Sequence, residues 1–580
     1  MRRSGAVWFV CVAGALIAAV VVLRSHGLSA WWFLDDLVQQ SLISGNQWPR
    51  RAVWTLHSGA LAGEAPGLTA RGALPWWTDP EFGFAPLRPL TSGLIWWEYH
   101  TLWPRVPRFH VVSITLWVTF ASLVALLYRR LLGGRTALLA LAIFVCGRGH
   151  SEVTAWVGSQ ALLVAAVFST GSLLAYLAYR ETGRVWLLAA HALLFGLGLL
   201  GGEYAFSTAG YLLAHELLVE RGPLARRARG LVPAGVLGAG YLVWYRLGGH
   251  GMRAVDSYVD VFSAPLQLVS NVLRSLPAHV VECLTAYPIE VGASGYSGWA
   301  LATLLTLGWL LSLVPARDGE QRRRALVLLA GGLVALAPYG ATFYSSRLGI
   351  LGKVGIAPVL AVLLEDGVAL ALALGPRARR ALGVAVALAV AGAHLAAAPW
   401  ISHDRTRQIV VRNRAYARQA AETPIGPGSP EVVFALAAFN VPITQTLALS
   451  RVAQGKPLVP FRPLSAAFGP HFFERTGPAS FVLETTANGL FSNPTAASYR
   501  RPGRGLGPGT EIRTDHLTVQ VELAANGPVR MHFLFDEPLE SPRYRFVSPL
   551  LDQFVAFEPP PIGTRLVIPA AFPPREVEGD

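Results

Sequence analysis

Apolar runs close to twenty residues long recur along this chain to about residue 400 and then stop. As a helix, such a run matches the ~30 Å hydrocarbon core of a bilayer. About eleven are read, near 5–24, 109–128, 136–150, 157–179, 185–201, 203–219, 230–247, 297–315, 324–342, 348–374 and 381–399. Composition agrees. Hydrophobic residues make up 53% and charged residues 14%, against about 25% charged in soluble domains, and mean hydropathy is +0.42. The chain is read as a mainly α, polytopic membrane protein, so its length does not count soluble domains.

The basic residues give the orientation. The net charge of +14 sits largely in short loops between the runs: "YRRLLGGR", "YRETGR", "ERGPLARRARG", "ARDGEQRRR" and "GPRARR". With the spans as read, all five share a side with Arg2 and Arg3, and the positive-inside rule makes that side cytoplasmic. Nucleic-acid binding is set aside, because no basic and aromatic binding module accompanies the charge. Nearly every basic residue is Arg, with Lys only at 353 and 456. Together with the wealth of Ala, Gly and Leu, this suggests a GC-rich bacterial genome. The first run is long for a signal peptide and lacks a small-residue cleavage site, so it reads as a retained signal anchor. Cys11, Cys146 and Cys283 are far apart and offer neither a disulfide framework nor zinc spacing.

The opposite side carries a long loop at 25–108, a second at 248–296, short turns at 147–156 and 340–347, and a tail from about 400. The tail is richer in Pro and polar residues. "DRTRQIVVRNRAYARQAAE" has helical periodicity, while "PEVVFALAAF", "ASFVLETT", "HLTVQVELA" and "VRMHFLFDE" read as strands. The expected organisation is a membrane domain over 1–400 and a small extracytoplasmic α/β domain over 401–580.

The polar residues on that side are the candidates for chemistry. Asp35 and Asp36 open a short helical pattern. One acid suffices as a cap for free N–H groups, and the other is free to act as a general base or to hold a cation. "RGHSEVTAWVGSQ" places His150, Glu152 and Trp156 in a turn between two runs; His-x-Glu is a weak metal signal without a third ligand. Glu203 opens a run from the outer side, where an ionisable group is a functional candidate. Arg88, Arg246, Arg347 and Lys353 are outer cations, suited either to snorkelling or to holding a phosphate at membrane level. Glu365 and Asp366 fall toward the cytoplasmic end of an apolar run, within reach of the Arg cluster at 377–380 or past a misplaced boundary.

Taken in order, these pieces resemble the polytopic GT-C glycosyltransferases that use polyprenyl-phosphate sugars. The likeness is nearest to the bacterial relatives of the transmembrane tetratricopeptide-repeat O-mannosyltransferases. "FLDD" matches an acidic motif after the first span and "PLRPL" a later Arg element. "RFHVVS", with His110, matches in part a span start, "HSEVTAWV" an outer turn, "GGE" part of a Ser-Lys-Glu start, and Arg347 a late Arg. Ser113 stands for the usual Asn and Gly202 for the usual Lys, and no tetratricopeptide repeats follow. The resemblance spans roughly 5–400. It implies a GT-C-like helical bundle and an inverting transfer of a sugar to an acceptor hydroxyl at the outer face of a bacterial inner membrane. Asp35 or Asp36 would be the base, and Arg88, Arg347 and Lys353 would hold the donor phosphate. His150, Glu152 and Glu203 would orient sugar or acceptor. The implied partners are the lipid-linked sugar, a protein, lipid or glycan acceptor, and membrane lipids. No metal ligand is assigned, and a divalent cation is left open. The rival reading is a lipid or sugar transporter or flippase, which would favour internal repeats and midplane charges.

Overall fold

The computed structural model describes residues 2–255, 258–287, 296–342, 344–426, 428, 430–485, 489–501, 503–523, 529–551 and 553–573. Of the loop expected at 248–296 and the turn at 340–347, residues 256–257, 288–295 and 343 lie outside the described residues.

The chain is mainly helical, with a sheet-rich C-terminal region. Six of the expected spans are helices long and apolar enough to cross a membrane: Gly5–Leu23, Val106–Leu131, Val157–Thr182, Gly319–Ala341, Ser346–Leu372 and Arg377–Glu422. Other expected runs are shorter apolar helices: Gly134–Val145 is 12 residues, Val185–Gly201 is 17 and Thr208–Leu218 is 11. The last apolar run does not stop near 399. It continues through a π-turn at Gly392–Ala397 into Ala398–Glu422, so one rod joins the apolar bundle to the tail.

Polar ties lock the end of the first helix to this rod. Arg24 is 3% exposed. It donates to Ser402 Oγ at 2.9 Å and to the carbonyls of Val145 and Gly147 at 2.8 and 3.1 Å. Ser151 Oγ donates to the Ser402 carbonyl at 2.8 Å, and Arg405 pairs with Glu152 at 2.8 Å. The 147–156 turn is therefore clamped to the rod.

At the far end of the bundle, Asp366 accepts the Arg317 N–H at 2.8 Å and pairs with Arg322, while Thr136 donates to Glu365. The sequence left this open between the Arg cluster at 377–380 and a misplaced boundary; helices Gly319–Ala335 and Arg377–Ala391 both pack against Ile350–Leu372, and Arg322 of the first is the partner of Asp366.

Two sheets build the tail. One has four strands in the order 553–557, 544–550, 432–435, 461–463, with parallel pairing at 432–435. The other has six antiparallel strands in the order 565–568, 471–477, 480–485, 530–535, 517–523, 511–513. All four expected strands are present, though "PEVVFALAAF" is strand only over Val432–Ala435. Residues Ala60 to Phe82 of the first long loop share one apolar core with this tail. Trp76 Nε1 donates to the Leu464 carbonyl at 3.0 Å and Trp77 Nε1 to that of Ala496 at 3.2 Å. Strand Gly83–Ala85 pairs with Gly251–Arg253, joining the two long loops.

Candidate active site

The helix Asp35–Ser44 starts on a strained residue. Leu34 adopts φ +44° and ψ −103°, which costs a residue with a Cβ about 1–3 kcal/mol. Packing holds it there. Trp32 is 2% exposed and lies against Tyr99, Trp103 and Phe109 at ring separations of 5.8, 5.2 and 4.6 Å.

The two acids have opposite surroundings. Asp36 is 1% exposed, and its carboxylate accepts the N–H of Phe33 at 3.0 Å and of Gly158 at 2.6 Å. Burial pushes the Asp36 carboxyl up to about 8; the two N–H donors pull it back and the Asp35 charge adds to the rise. Asp35 is exposed, and its carboxylate has no hydrogen-bond or ion-pair partner among the described residues. Desolvation by the surrounding walls raises it, against the positive charges of Arg347 and Arg88. Because Asp35 is open to water, solvent screens part of that effect. Gly158 is needed for this fit. A Cβ there would stand 3.0 Å from Trp156 Nε1, 3.1 Å from Asp35 Cβ and 3.3 Å from Asp36 Oδ1.

Arg347 is held by its neighbours in chain order. Tyr344 donates to Glu282. Ser345 Oγ donates to Glu152 at 3.0 Å and Ser346 Oγ to Glu282 at 3.0 Å. The Arg347 guanidinium lies 4.1 Å from the centre of the Trp156 ring and donates to Ser159 Oγ at 3.2 Å. Gly149 lets the two turns meet, since a Cβ would stand 2.3 Å from the Ser346 carbonyl oxygen. Burial raises the Glu152 carboxyl, but Arg347 and Arg405 more than reverse this and hold it below the usual carboxylate range.

Beside this acid–arginine group lies a cavity of about 360 Å³. Arg88, Glu203, Asp260 and Arg347 line its polar part, and Tyr204, Tyr241, Tyr245, Tyr258, Tyr339, Phe206 and Phe262 form an aromatic wall. Arg88 is engaged by Glu203 through both carboxylate oxygens and donates to Tyr204 Oη at 3.0 Å.

The fold thus brings together Asp35, Asp36, Arg88, Glu152, Glu203 and Arg347. Of these, Arg88, Glu203 and Arg347 line the cavity while Asp35, Asp36 and Glu152 do not, and neither do Lys353 and His150. Lys353 is buried one and a half turns along the helix from Arg347, beside Gly147. His150 has both ring nitrogens used, Nδ1 accepting from Trp117 Nε1 at 3.1 Å and Nε2 facing the Phe144 carbonyl at 2.9 Å. This leaves a neutral ring whose donor and acceptor are both spent. His110 is likewise buried, 3.0 Å from the Ala30 carbonyl. Among the described residues, no group of three or more His, Cys, Asp or Glu side chains could hold a metal ion. Sequence reading missed the cavity tyrosines, Gly158, Glu98 and Glu282. The tyrosines come from four separate chain segments, and only the polar "GSQ" after Trp156 hinted at the role of Gly158.

No family model and no curated protein matches this chain. Among solved structures it is similar to ArnT from Cupriavidus metallidurans bound to undecaprenyl phosphate, with 12% identity and a TM-score of 0.40 over 91% of this chain and 97% of that one. It is also similar to the oligosaccharyltransferase AglB from Archaeoglobus fulgidus in complex with an inhibitory peptide and a dolichol-phosphate, with 13% identity and a TM-score of 0.41 over 79% of this chain. The chain spans 64% of the length of that archaeal enzyme. At these identities and scores the likeness assigns no residue and no activity here.

Proposed function

We propose that this chain is a membrane glycosyltransferase with a GT-C-like bundle, moving a sugar from a polyprenyl-phosphate carrier to an acceptor hydroxyl. The observation that carries this reading is an unbonded carboxylate, Asp35, within the field of Arg347 and Arg88, the two arginines that line a cavity with an aromatic wall. A lipid-linked sugar has the matching parts: an apolar tail, a phosphate, and a ring whose C–H faces pack on aromatics while its hydroxyls meet Tyr oxygens.

The chemistry follows from the roles. Asp35 takes the acceptor hydroxyl proton as the new O–C1 bond forms on the face opposite the phosphate. The C1–O bond breaks, the polyprenyl phosphate leaves with the electron pair, and the anomeric centre inverts. Arg347 is preorganised by Trp156 and Ser159 to stabilise that leaving charge. Arg88 contributes less, because Glu203 already offsets its charge. Asp36 anchors Asp35 through Gly158, and Glu152 anchors the Arg347 turn. His150 and Lys353 act behind the site. The setting is a bacterial inner membrane with a cytoplasmic N-terminus, a membrane domain over 1–400, and the 401–580 domain with the first long loop outside.

Purified protein supplied with a panel of polyprenyl-phosphate sugars and membrane extract tests this. Release of polyprenyl phosphate is expected in wild type and lost in Asp35→Asn with the protein still folded. Full turnover in Asp35→Asn removes the base assignment.

A further inference from the structure

Glu98 and Gln160 are both 0% exposed, and each has one side-chain oxygen without a partner, Glu98 Oε2 and Gln160 Oε1. Their other polar atoms are joined, with Gln160 Nε2 donating to Glu98 Oε1 at 2.9 Å. The amide orientation is set independently. Gln160 Nε2 also faces the Phe109 carbonyl at 3.4 Å and Ser113 Oγ at 3.1 Å, and a backbone carbonyl only accepts. The amide oxygen is therefore turned away from those acceptors and meets no donor. Two buried acceptors of this kind would each carry the desolvation penalty of an unmade hydrogen bond.

A single proton removes both deficits. We propose that Glu98 is held as a neutral carboxylic acid whose Oε2–H donates to Gln160 Oε1, and that this acid–amide pair positions the turn that carries Gly158 and Ser159. Each partner then gives one hydrogen bond and receives one. The surroundings favour that proton. Burial pushes the Glu98 carboxyl up to about 8, the bond from Gln160 opposes this, and the negative charge of Asp36 adds to the rise.

The consequence lies in the two residues just before Gln160. Gly158 donates its N–H to Asp36, and Ser159 Oγ accepts from the Arg347 guanidinium. From the other side, Tyr99 follows Glu98 in the chain and donates to the Asp36 carbonyl. The pair joins the Pro89–Leu102 helix to the start of the Gln160–Thr182 helix, so it sets the spacing between the acids and Arg347. Glu98 touches no reacting atom and is a positioning residue. Its relevance to sugar transfer rests on the function proposed above, whereas the protonated pair does not.

Infrared difference spectra of wild type minus Glu98→Gln, at mildly acidic pH, test the protonation. The expected result is a carboxylic-acid C=O band that Glu98→Gln loses. Gln160→Met keeps the acid but removes its acceptor, so the band is expected to shift there and not vanish; this variant carries the assignment if Glu98→Gln does not fold. Loss of a carboxylate band in Glu98→Gln, or an unshifted acid band in Gln160→Met, overturns the pair. Hydrogen exchange tests the positioning: backbone amides of 156–160 are expected to exchange faster in Gln160→Met than in wild type, and unchanged exchange overturns that half. Neither readout uses a sugar donor, so failure of the transferase reading is distinguishable from failure of the pair.

Discussion

Gly158→Ala puts one methyl group where the site has no room. Its Cβ would stand 3.0 to 3.3 Å from Trp156 Nε1, Asp35 Cβ and Asp36 Oδ1. Trp156 carries the Arg347 guanidinium on its face, and Asp35 Cβ is fixed by the strained Leu34 entry, so neither neighbour yields freely. Overpacking of this kind costs about 1–3 kcal/mol. If the strain is relieved by moving Asp36 off the Gly158 N–H, a buried acceptor loses its hydrogen bond at a cost of about 1–3 kcal/mol. Either route gives a loss of about 1–3 kcal/mol. A displacement of Asp35 by about 1 Å would lower turnover roughly 100-fold. The control is Gly171→Ala in the Gln160–Thr182 helix that follows, where a Cβ meets only Leu194, at 3.5 Å, and replacing an interior helical glycine gains about 1 kcal/mol. The assays are the thermal unfolding midpoint in detergent and release of polyprenyl phosphate. A Gly158→Ala protein as stable and active as Gly171→Ala refutes this account of the site.

Asp366→Ala leaves Arg322 without its acid partner at a site where the two side chains are 13% and 3% exposed, so stability is expected to fall by about 3–5 kcal/mol, read as a lower unfolding midpoint. Trp77→Ala removes a fully buried ring and its bond to Ala496; a loss of about 3–5 kcal/mol should free the first long loop from the tail, seen as faster proteolysis within 60–82. Arg347→Lys loses the planar stack on Trp156, and kcat is expected to fall more than the donor KM rises; a rise in KM alone argues against a role on the leaving phosphate. For pH, Asp36 moves from 3.8 to about 8 on folding, so between those values the folded state binds more protons than the unfolded one. Its contribution is complete below the lower value and is lost as pH rises to about 8. Unfolding midpoints measured from mildly acidic to mildly basic pH should therefore decline, and a rising series contradicts the assignment.

The membrane-spanning character, the helical class and the sheet-rich tail were legible because they follow from local periodicity: runs of ~20 apolar residues for spanning helices and alternation for strands. The ends of the shorter helices were legible in the same way, as with Val185–Gly201 before Gly202. Asp35, Asp36, Arg88, Glu152, Glu203 and Arg347 were legible as polar groups in apolar surroundings. Their division of labour was not. Asp35 and Asp36 are adjacent and chemically identical in sequence, and only the Gly158 N–H, from 122 residues further on, makes one an anchor and leaves the other open. His150 and Lys353 read as site residues because sequence shows residue type and not direction; Trp117, Phe144 and the buried helix face decide where they point. The partner of Asp366 depended on which arginine of the two helices packed on its own helix points at it. The aromatic wall and the Glu98–Gln160 pair were invisible in sequence for a common reason: each is made by residues from separate segments, and their meeting is settled by long-range packing of helices and loops, which local pattern does not encode.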